Sequence, residues 1–264
     1  MAAWAHWNNE GKPEMNRAIL FLALLLQASL LPAQDLHYGK GDLIDPVITI
    51  NDVAGSSVSL RSILAQHPQD LHVIFIFGGG DLGSGMPGHL WCSDSFEDTH
   101  ILRTLHAKYA EQGVHFIPVA VPPVYHSQVL GQPARVFLDA AVGSEPLVTA
   151  RQAFIESTLA ARAAGILPVE PWFDLRMGLM LNRNEGMLPG EAYGTVASWQ
   201  GAFRAPDEPQ FYGVPGFWIL SGEGWVLTEP FRGNIYHPHG GNVDIRYTLA
   251  DVDAALQALL QAKE

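Results

Sequence analysis

The spacing of apolar and polar positions changes several times along this chain, and each change marks an element. Val47-Ile48-Thr49-Ile50 and Val58-Ser59-Leu60, parted by the polar stretch Asp52 to Ser57, read as strand, turn and strand. Ser62 to His67 reads as a short helix that Pro68 ends. Leu71 to Phe77 is a continuous apolar run with β-branched and aromatic members, the mark of a strand covered on both faces. A glycine-rich loop follows, Gly78 to Gly88. From Ser93 to Gln112 the spacing turns helical. Phe96, Ile101, Leu102, Leu105 and Tyr109 fall on one face, and Gly113 supplies the stop. Asp94 with Glu97, or Ser95 with Asp98, offers acidic and capping chemistry at its start. Val114 to Val121 is a second buried strand, closed by Pro122-Pro123. Strand, helix, strand in this order predicts a parallel pair joined by a right-handed crossover.

Residues 124 to about 210 are less regular. Pro146 to Ala164 reads as a helix and Pro171 to Leu181 as a shorter one, with glycine-, proline- and aromatic-rich loop around them. Gly216 to Leu220 and Trp225 to Leu227 flank Ser221-Gly222-Glu223-Gly224, which predicts a hairpin. Thr248-Leu249-Ala250-Asp251 is a capping box with Asp in place of Glu, opening a last helix whose Val252, Leu256, Leu259 and Leu260 form the apolar stripe. The chain shows no internal repeat. The order β–α–β, insert, hairpin, α predicts a mixed sheet with helices on both faces.

Composition narrows the function. Of 264 residues, 48% are hydrophobic and 16% charged, which excludes intrinsic disorder as the overall state. The net charge of −12 and the lack of any Lys/Arg cluster argue against a nucleic-acid partner. A single cysteine, Cys92, excludes an intramolecular disulfide and a cysteine-rich zinc module. At the amino terminus, Met15-Asn16-Arg17 leads into the apolar run Ala18 to Leu26 and then Leu31-Pro32-Ala33, the n-region, h-region and small-residue cleavage site of a signal peptide. The unbroken run is too short to span a bilayer of about 30 Å. The expected organisation is an upstream extension and signal peptide over 1–33, with Met15 as the start this implies. One domain over 34–264 follows. The expected location is periplasmic or secreted, with no membrane span once the signal is removed.

Trp91-Cys92-Ser93-Asp94-Ser95 at a helix start, behind a strand, together with Tyr212-Gly213-Val214-Pro215 entering a hairpin, resembles the thioredoxin-like superfamily. The resemblance is to its exported redoxin and thiol-disulfide oxidoreductase branch, and covers roughly residues 42–122 and 211–262. It implies a three-layer α/β/α sandwich with a mixed central sheet, an N-terminal strand-turn-strand extension, and a large insert, about 124–210, before the proline loop. In such proteins W-C-x-x-C opens the first core helix and a cis-proline sits opposite. Trp91, Cys92 and Pro215 match those positions, and Ser95 stands where the second cysteine would be. An internal dithiol cycle is therefore closed to this chain, and a mixed disulfide on Cys92 needs an outside thiol to resolve it.

The implied activity is monothiol oxidoreduction with a thiol-containing protein or a small thiol as partner, and without a bound cofactor. Cys92 would be the nucleophile, Ser95 its hydrogen-bonding assistant, Trp91 its shield, and Pro215 with Tyr212, Gly213 and Val214 the substrate edge. The alternative is a binding module of the same fold that captures a peptide without turnover; there Cys92 is a small buried apolar residue. The helix amino terminus lowers a thiol pKa and Asp94 raises it, so spacing leaves the sign open; His89, folding back, would supply a compensating cation.

Other motifs count for less. The peroxiredoxin signature P-x-x-x-T-x-x-C requires proline and threonine where Gly85 and His89 stand, which disfavours a peroxidase. His89 with Cys92, and His237 with His239, suggest a metal site but read better as loop histidines, so no metal is expected. Asp139, Glu145, Glu156, Glu170 and Asp174 read as solvated faces of the insert's helices. Gly78-Gly79-Gly80-Asp81-Leu82-Gly83 lacks the Gly-Lys-Ser/Thr ending of a phosphate loop and reads as a flexible rim near the cysteine.

Overall fold

In a computed structural model, residues 38–81, 88–122, 143–175, 214–232 and 247–263 are described. The leader over 1–33, the substrate-edge residues Tyr212 and Gly213, the histidines His237 and His239, Asp139, and much of the insert lie outside them. β1 (Thr49–Asn51) and β2 (Ser57–Ser59) form the antiparallel hairpin, with Ile50 opposite Val58. α1 (Leu60–Leu64) follows without a break and buries Leu60, Ile63 and Leu64.

β3 (Leu71–Gly78) and β4 (Val114–Val121) pair in parallel along their whole lengths, from Leu71 opposite Val114 to Gly78 opposite Val121. All eight residues of β3 are buried, as a strand covered on both faces requires. α2 (Ser93–Tyr109) joins the two strands and runs on through a single 3-10 turn, Ala110–Gln112. It stops at Gly113, whose φ of 73° suits a residue without a Cβ. Ile101, Leu102, Leu105 and Tyr109 are buried as expected, but Phe96 is 41% exposed. At about 100° per residue Phe96 lies roughly 140° from Ile101, on the side of α2 away from the buried stripe.

α3 (Glu145–Ala163), β5 (Trp172–Phe173), β6 (Gly216–Ser221), β7 (Phe231–Arg232) and α4 (Leu249–Gln261) complete the described elements. The sheet runs β2-β1-β5-β4-β3-β6-β7. β6 lies antiparallel to β3, so the sheet is mixed. Adjacent extended residues at the end of β3 face opposite sides. A Cβ on Gly78 would meet Cys92 and Trp91 at the start of α2, whereas one on Gly79 would meet Thr158 of α3. α2 and α3 therefore cover opposite faces. α4 shares the α2 side, tied there by Tyr109 Oη and Lys108 Nζ, each donating to Asp253 at 2.7 Å. This is the thioredoxin-like α/β/α sandwich with a mixed central sheet. Thr248 and Asp251 make the reciprocal capping box that starts α4.

The insert departs from expectation in one respect. The segment read as a helix from Pro171 begins instead with β5, which pairs with β4 on one side and β1 on the other and joins the N-terminal hairpin to the central sheet. Asp174, expected on a solvated helix face, is buried beside it, its N–H donating to the Ala120 carbonyl at 2.9 Å. Two residues carry no periodicity, so partners far away in sequence decide their conformation.

Candidate functional site

Cys92 is the N-cap of α2, with extended backbone and a sulfur that accepts the Ser95 N–H at 3.4 Å. The sulfur thus takes the place of a usual capping oxygen on one of the helix's unpaired amides. The capping expected from Asp94 or Ser95 is not the arrangement found. Ser95 is fully buried and its Oγ accepts the Gly78 N–H at 2.9 Å, which fixes the start of α2 against the end of β3.

Across from Cys92 lies the segment before β6. The Val214–Pro215 peptide bond is cis, and the Cys92 thiol donates to the Val214 carbonyl at 3.7 Å. The fold therefore brings together Cys92, Ser95, Val214 and Pro215 from two stretches more than a hundred residues apart. Trp91 closes one side. Its ring lies against Gly78, its Nε1 donates to the Val121 carbonyl at 2.9 Å, and its backbone N–H donates to the Gly80 carbonyl at 2.8 Å.

Burial pushes the Cys92 thiol above its ordinary range. The Ser95 hydroxyl and N–H oppose that rise, while the Asp94 carboxylate adds to it. Desolvation wins, so the resting sulfur is a protonated thiol with a carbonyl to donate to. His89 does not take up the expected place beside the sulfur as a compensating cation. Its Nδ1 is 3.9 Å from Asp81 Oδ1 and its ring stacks on Phe96. Among the described residues, His89 and Cys92 belong to no group of three metal-competent side chains.

Two features were not read from sequence. Gly78, taken as part of a flexible rim, is the last residue of β3 and the floor beneath the cysteine. A Cβ there would stand 2.5 Å from the Cys92 Cβ and 2.6 Å from the Trp91 ring. A glycine immediately after a buried strand and shortly before an isolated cysteine is the signal that could have found it. The second is the role of Asp98, which spacing offered as capping chemistry: one turn into α2, it is buried and accepts the Tyr247 hydroxyl at 2.6 Å. Tyr247 precedes α4, so this bond fixes the α2 start from the opposite end of the chain.

The chain matches no family profile and no curated protein. Solved structures of similar arrangement include a thiol:disulfide interchange protein of the thioredoxin family from Chlorobium tepidum, at 12% identity and a TM-score of 0.37, covering 84% of this chain and 97% of that one. The thioredoxin domain of a thiol-disulfide oxidoreductase from Bacteroides vulgatus aligns at 12% identity and a TM-score of 0.40, covering 84% and 99%. Peroxidoxin BcpB from Mycobacterium tuberculosis aligns at 14% and 0.43, covering 86% and 98%. At such identities the chemistry has to be argued from this chain's own residues.

Proposed function

We propose that this chain is an exported thiol oxidoreductase that works through one cysteine and exchanges disulfides with a protein or small-thiol partner. The observation that carries the reading is the placement of Cys92 at the α2 amino terminus, its sulfur supported by Ser95 and facing the Val214 carbonyl. The leader-like sequence over 15–33 supports export, and an oxidising compartment is where a lone thiol meets disulfides.

In the first step the Cys92 thiol gives up its proton and the thiolate attacks one sulfur of a partner disulfide. A Cys92–partner disulfide forms as the partner's own disulfide breaks, and the other partner sulfur leaves as thiolate. An external thiol then attacks the mixed disulfide, leaves with the partner sulfur as a new disulfide, and returns Cys92 to the thiol. Electrons balance without a bound cofactor.

The Val214 carbonyl is the natural acceptor for the N–H of an extended peptide laid along this edge. A peptide N–H placed there competes with the thiol for that carbonyl, and Ser95 stabilises the thiolate. Exchange should therefore be faster with an extended peptide disulfide than with hydroxyethyl disulfide, which has no N–H to offer, and should vanish in Cys92→Ser. The experiment is stopped-flow exchange with both disulfides, with the mixed disulfide trapped and identified by mass. Failure to form any mixed disulfide with either would sink the proposal.

One observation favours the second reading, a groove that captures peptide without turnover: the thiol is pushed up rather than down. Equal peptide affinity in Cys92→Ser and the unaltered protein, with no exchange, would select it.

A further inference from the structure

The end of the sheet away from Cys92 holds a separate cluster. β3 and β4 each carry histidine as their second residue, and the parallel register sets His72 opposite His115. The loop between α1 and β3 brings His67 and Asp70 to the same corner. The His67 ring lies flat on His115 with centroids 3.8 Å apart. His115 Nε2 is 2.7 Å from Asp70 Oδ2, and His67 Nδ1 is 3.9 Å from the same oxygen. One ligand atom from each of the three lies within 4.8 Å of the others.

We propose that His67, Asp70 and His115 bind a divalent transition-metal ion of the zinc or copper type, with the remaining coordination position open to water. Two imidazoles and one carboxylate are the donors such ions prefer, whereas calcium and magnesium seek more oxygens. Tetrahedral bonds of about 2.0–2.1 Å set ligand atoms roughly 3.3 Å apart. The two distances to Asp70, 2.7 and 3.9 Å, fall on either side of that value, and the stacked His67 and His115 rings have to turn apart to aim both lone pairs at one ion.

The surroundings hold the ligands in place. The Asp70 N–H and His72 Nε2 both donate to the His67 carbonyl at 3.1 Å, which fixes the loop to β3. A Cβ on Gly222 would stand 2.5 Å from that carbonyl and from Pro68, so the turn after β6 is packed tightly on the loop. Because a carbonyl only accepts, His72 carries its proton on Nε2. Its Nδ1 is a buried lone pair without a hydrogen-bond partner, and its ring stacks on His115 at 5.2 Å. His72 is therefore a positioning residue behind the ligands. Lys263 Nζ donates to the Gln69 carbonyl at 2.6 Å and so ties the chain's last turn to the same loop.

β3 is eight residues long, about 23 Å from end to end, so this site stands apart from the thiol and does not depend on the function proposed for it. The test is titration of the full chain, purified without a histidine tag and stripped by chelator, with Zn²⁺ alone against a competing chromophoric chelator. One equivalent should bind, with affinity falling tenfold or more in His67→Gln, Asp70→Asn and His115→Gln, and unchanged in Cys92→Ser. Cu²⁺ loaded at one equivalent into the unaltered protein should show nitrogen splittings from two imidazoles by electron paramagnetic resonance. His237→Gln with His239→Gln, the other histidine pair, should leave affinity and spectrum unchanged, and loss of either there would equally overturn the proposal. Affinity that is unmoved by all three ligand variants, binding lost in Cys92→Ser, or fewer than two imidazole nitrogens would overturn the proposal.

Discussion

Replacing Gly78 with alanine tests the site's construction most directly. The added Cβ would meet the Cys92 Cβ at 2.5 Å and two carbons of the Trp91 ring at 2.6 and 2.7 Å. Ordinary contact begins near 3.4 Å, so about 0.9 Å of movement is required of Cys92. Neither neighbour yields easily. The Cys92 Cβ is one bond from the backbone that caps α2, and the Trp91 ring is held by its bond to the Val121 carbonyl. Moving Cys92 that far breaks a capping contact already 3.4 Å long, and the Gly78 N–H is pulled from Ser95 Oγ in the same displacement. Overpacking together with a lost cap gives a destabilisation of about 2–4 kcal/mol. The assay is urea denaturation in parallel with the alkylation rate of Cys92. The urea midpoint should fall, and alkylation of the native protein should speed up as the thiol loses its cover. Gly39→Ala, where the nearest atoms are at 3.9 Å, is the control and should shift stability by less than about 0.5 kcal/mol. An unchanged midpoint with an unchanged alkylation rate in Gly78→Ala would refute the reasoning.

Ser95→Ala removes the acceptor of the buried Gly78 N–H, which should cost about 1–3 kcal/mol in chemical denaturation. It also removes a group that holds the thiol down, so the midpoint of alkylation against pH should move further up; a downward move would contradict the assignment. Tyr247→Phe strips one donor from the buried Asp98 and should cost about 1–3 kcal/mol, with a value near zero showing that the bond is not formed in solution. His72 is held down to about 4 by burial, from the ordinary 6.5, so the unfolded chain binds the extra proton between those values. Metal-free protein should therefore lose stability as pH falls from 6.5 towards 4, by about 3 kcal/mol from this group. His72→Phe should flatten that slope relative to the unaltered protein, and identical slopes would show that His72 does not titrate as placed.

What the sequence disclosed follows from how far each signal reaches along the chain. β3 and β4 were legible because strands covered on both faces are apolar at nearly every position, and α4 because Thr248 and Asp251 announce its start within four residues. β5 was not. Trp172 and Phe173 follow a proline and resemble a helix opening, and only the pairing of Trp172 with Val119, and of Phe173 with Ala120 and Asn51, makes them a strand. Cys92 and Pro215 were found through a family resemblance, whereas Gly78 was missed because a missing Cβ means something only once its neighbours are known. The histidine cluster had a signal that went unread. Leu71-His72-Val73 and Val114-His115-Phe116 place histidine at the same offset in two strands whose parallel pairing was expected, and in-register pairing sets the two side by side.

A thiol raised by burial is an awkward nucleophile at rest, but under the proposed exchange its protection has a use. Cys92 has one acceptor for its proton, the Val214 carbonyl, and three groups that stabilise its anion, the Ser95 hydroxyl and N–H and the Asp94 N–H. The first favours the resting thiol and the other three the reacting thiolate. A ligand that occupies the carbonyl without touching Ser95 shifts the balance from one to the other. Solvent alone does not, because desolvation remains the larger effect in the free protein. A substrate able to pair its backbone along Val214 would thus lower the thiol's resistance to ionisation by the act of binding, while a small disulfide without an N–H to offer would meet the thiol as it rests. Selectivity of this kind needs no second cysteine. It places discrimination between partners at a backbone carbonyl, with the side chains around Cys92 left to stabilise the anion once the partner has been admitted.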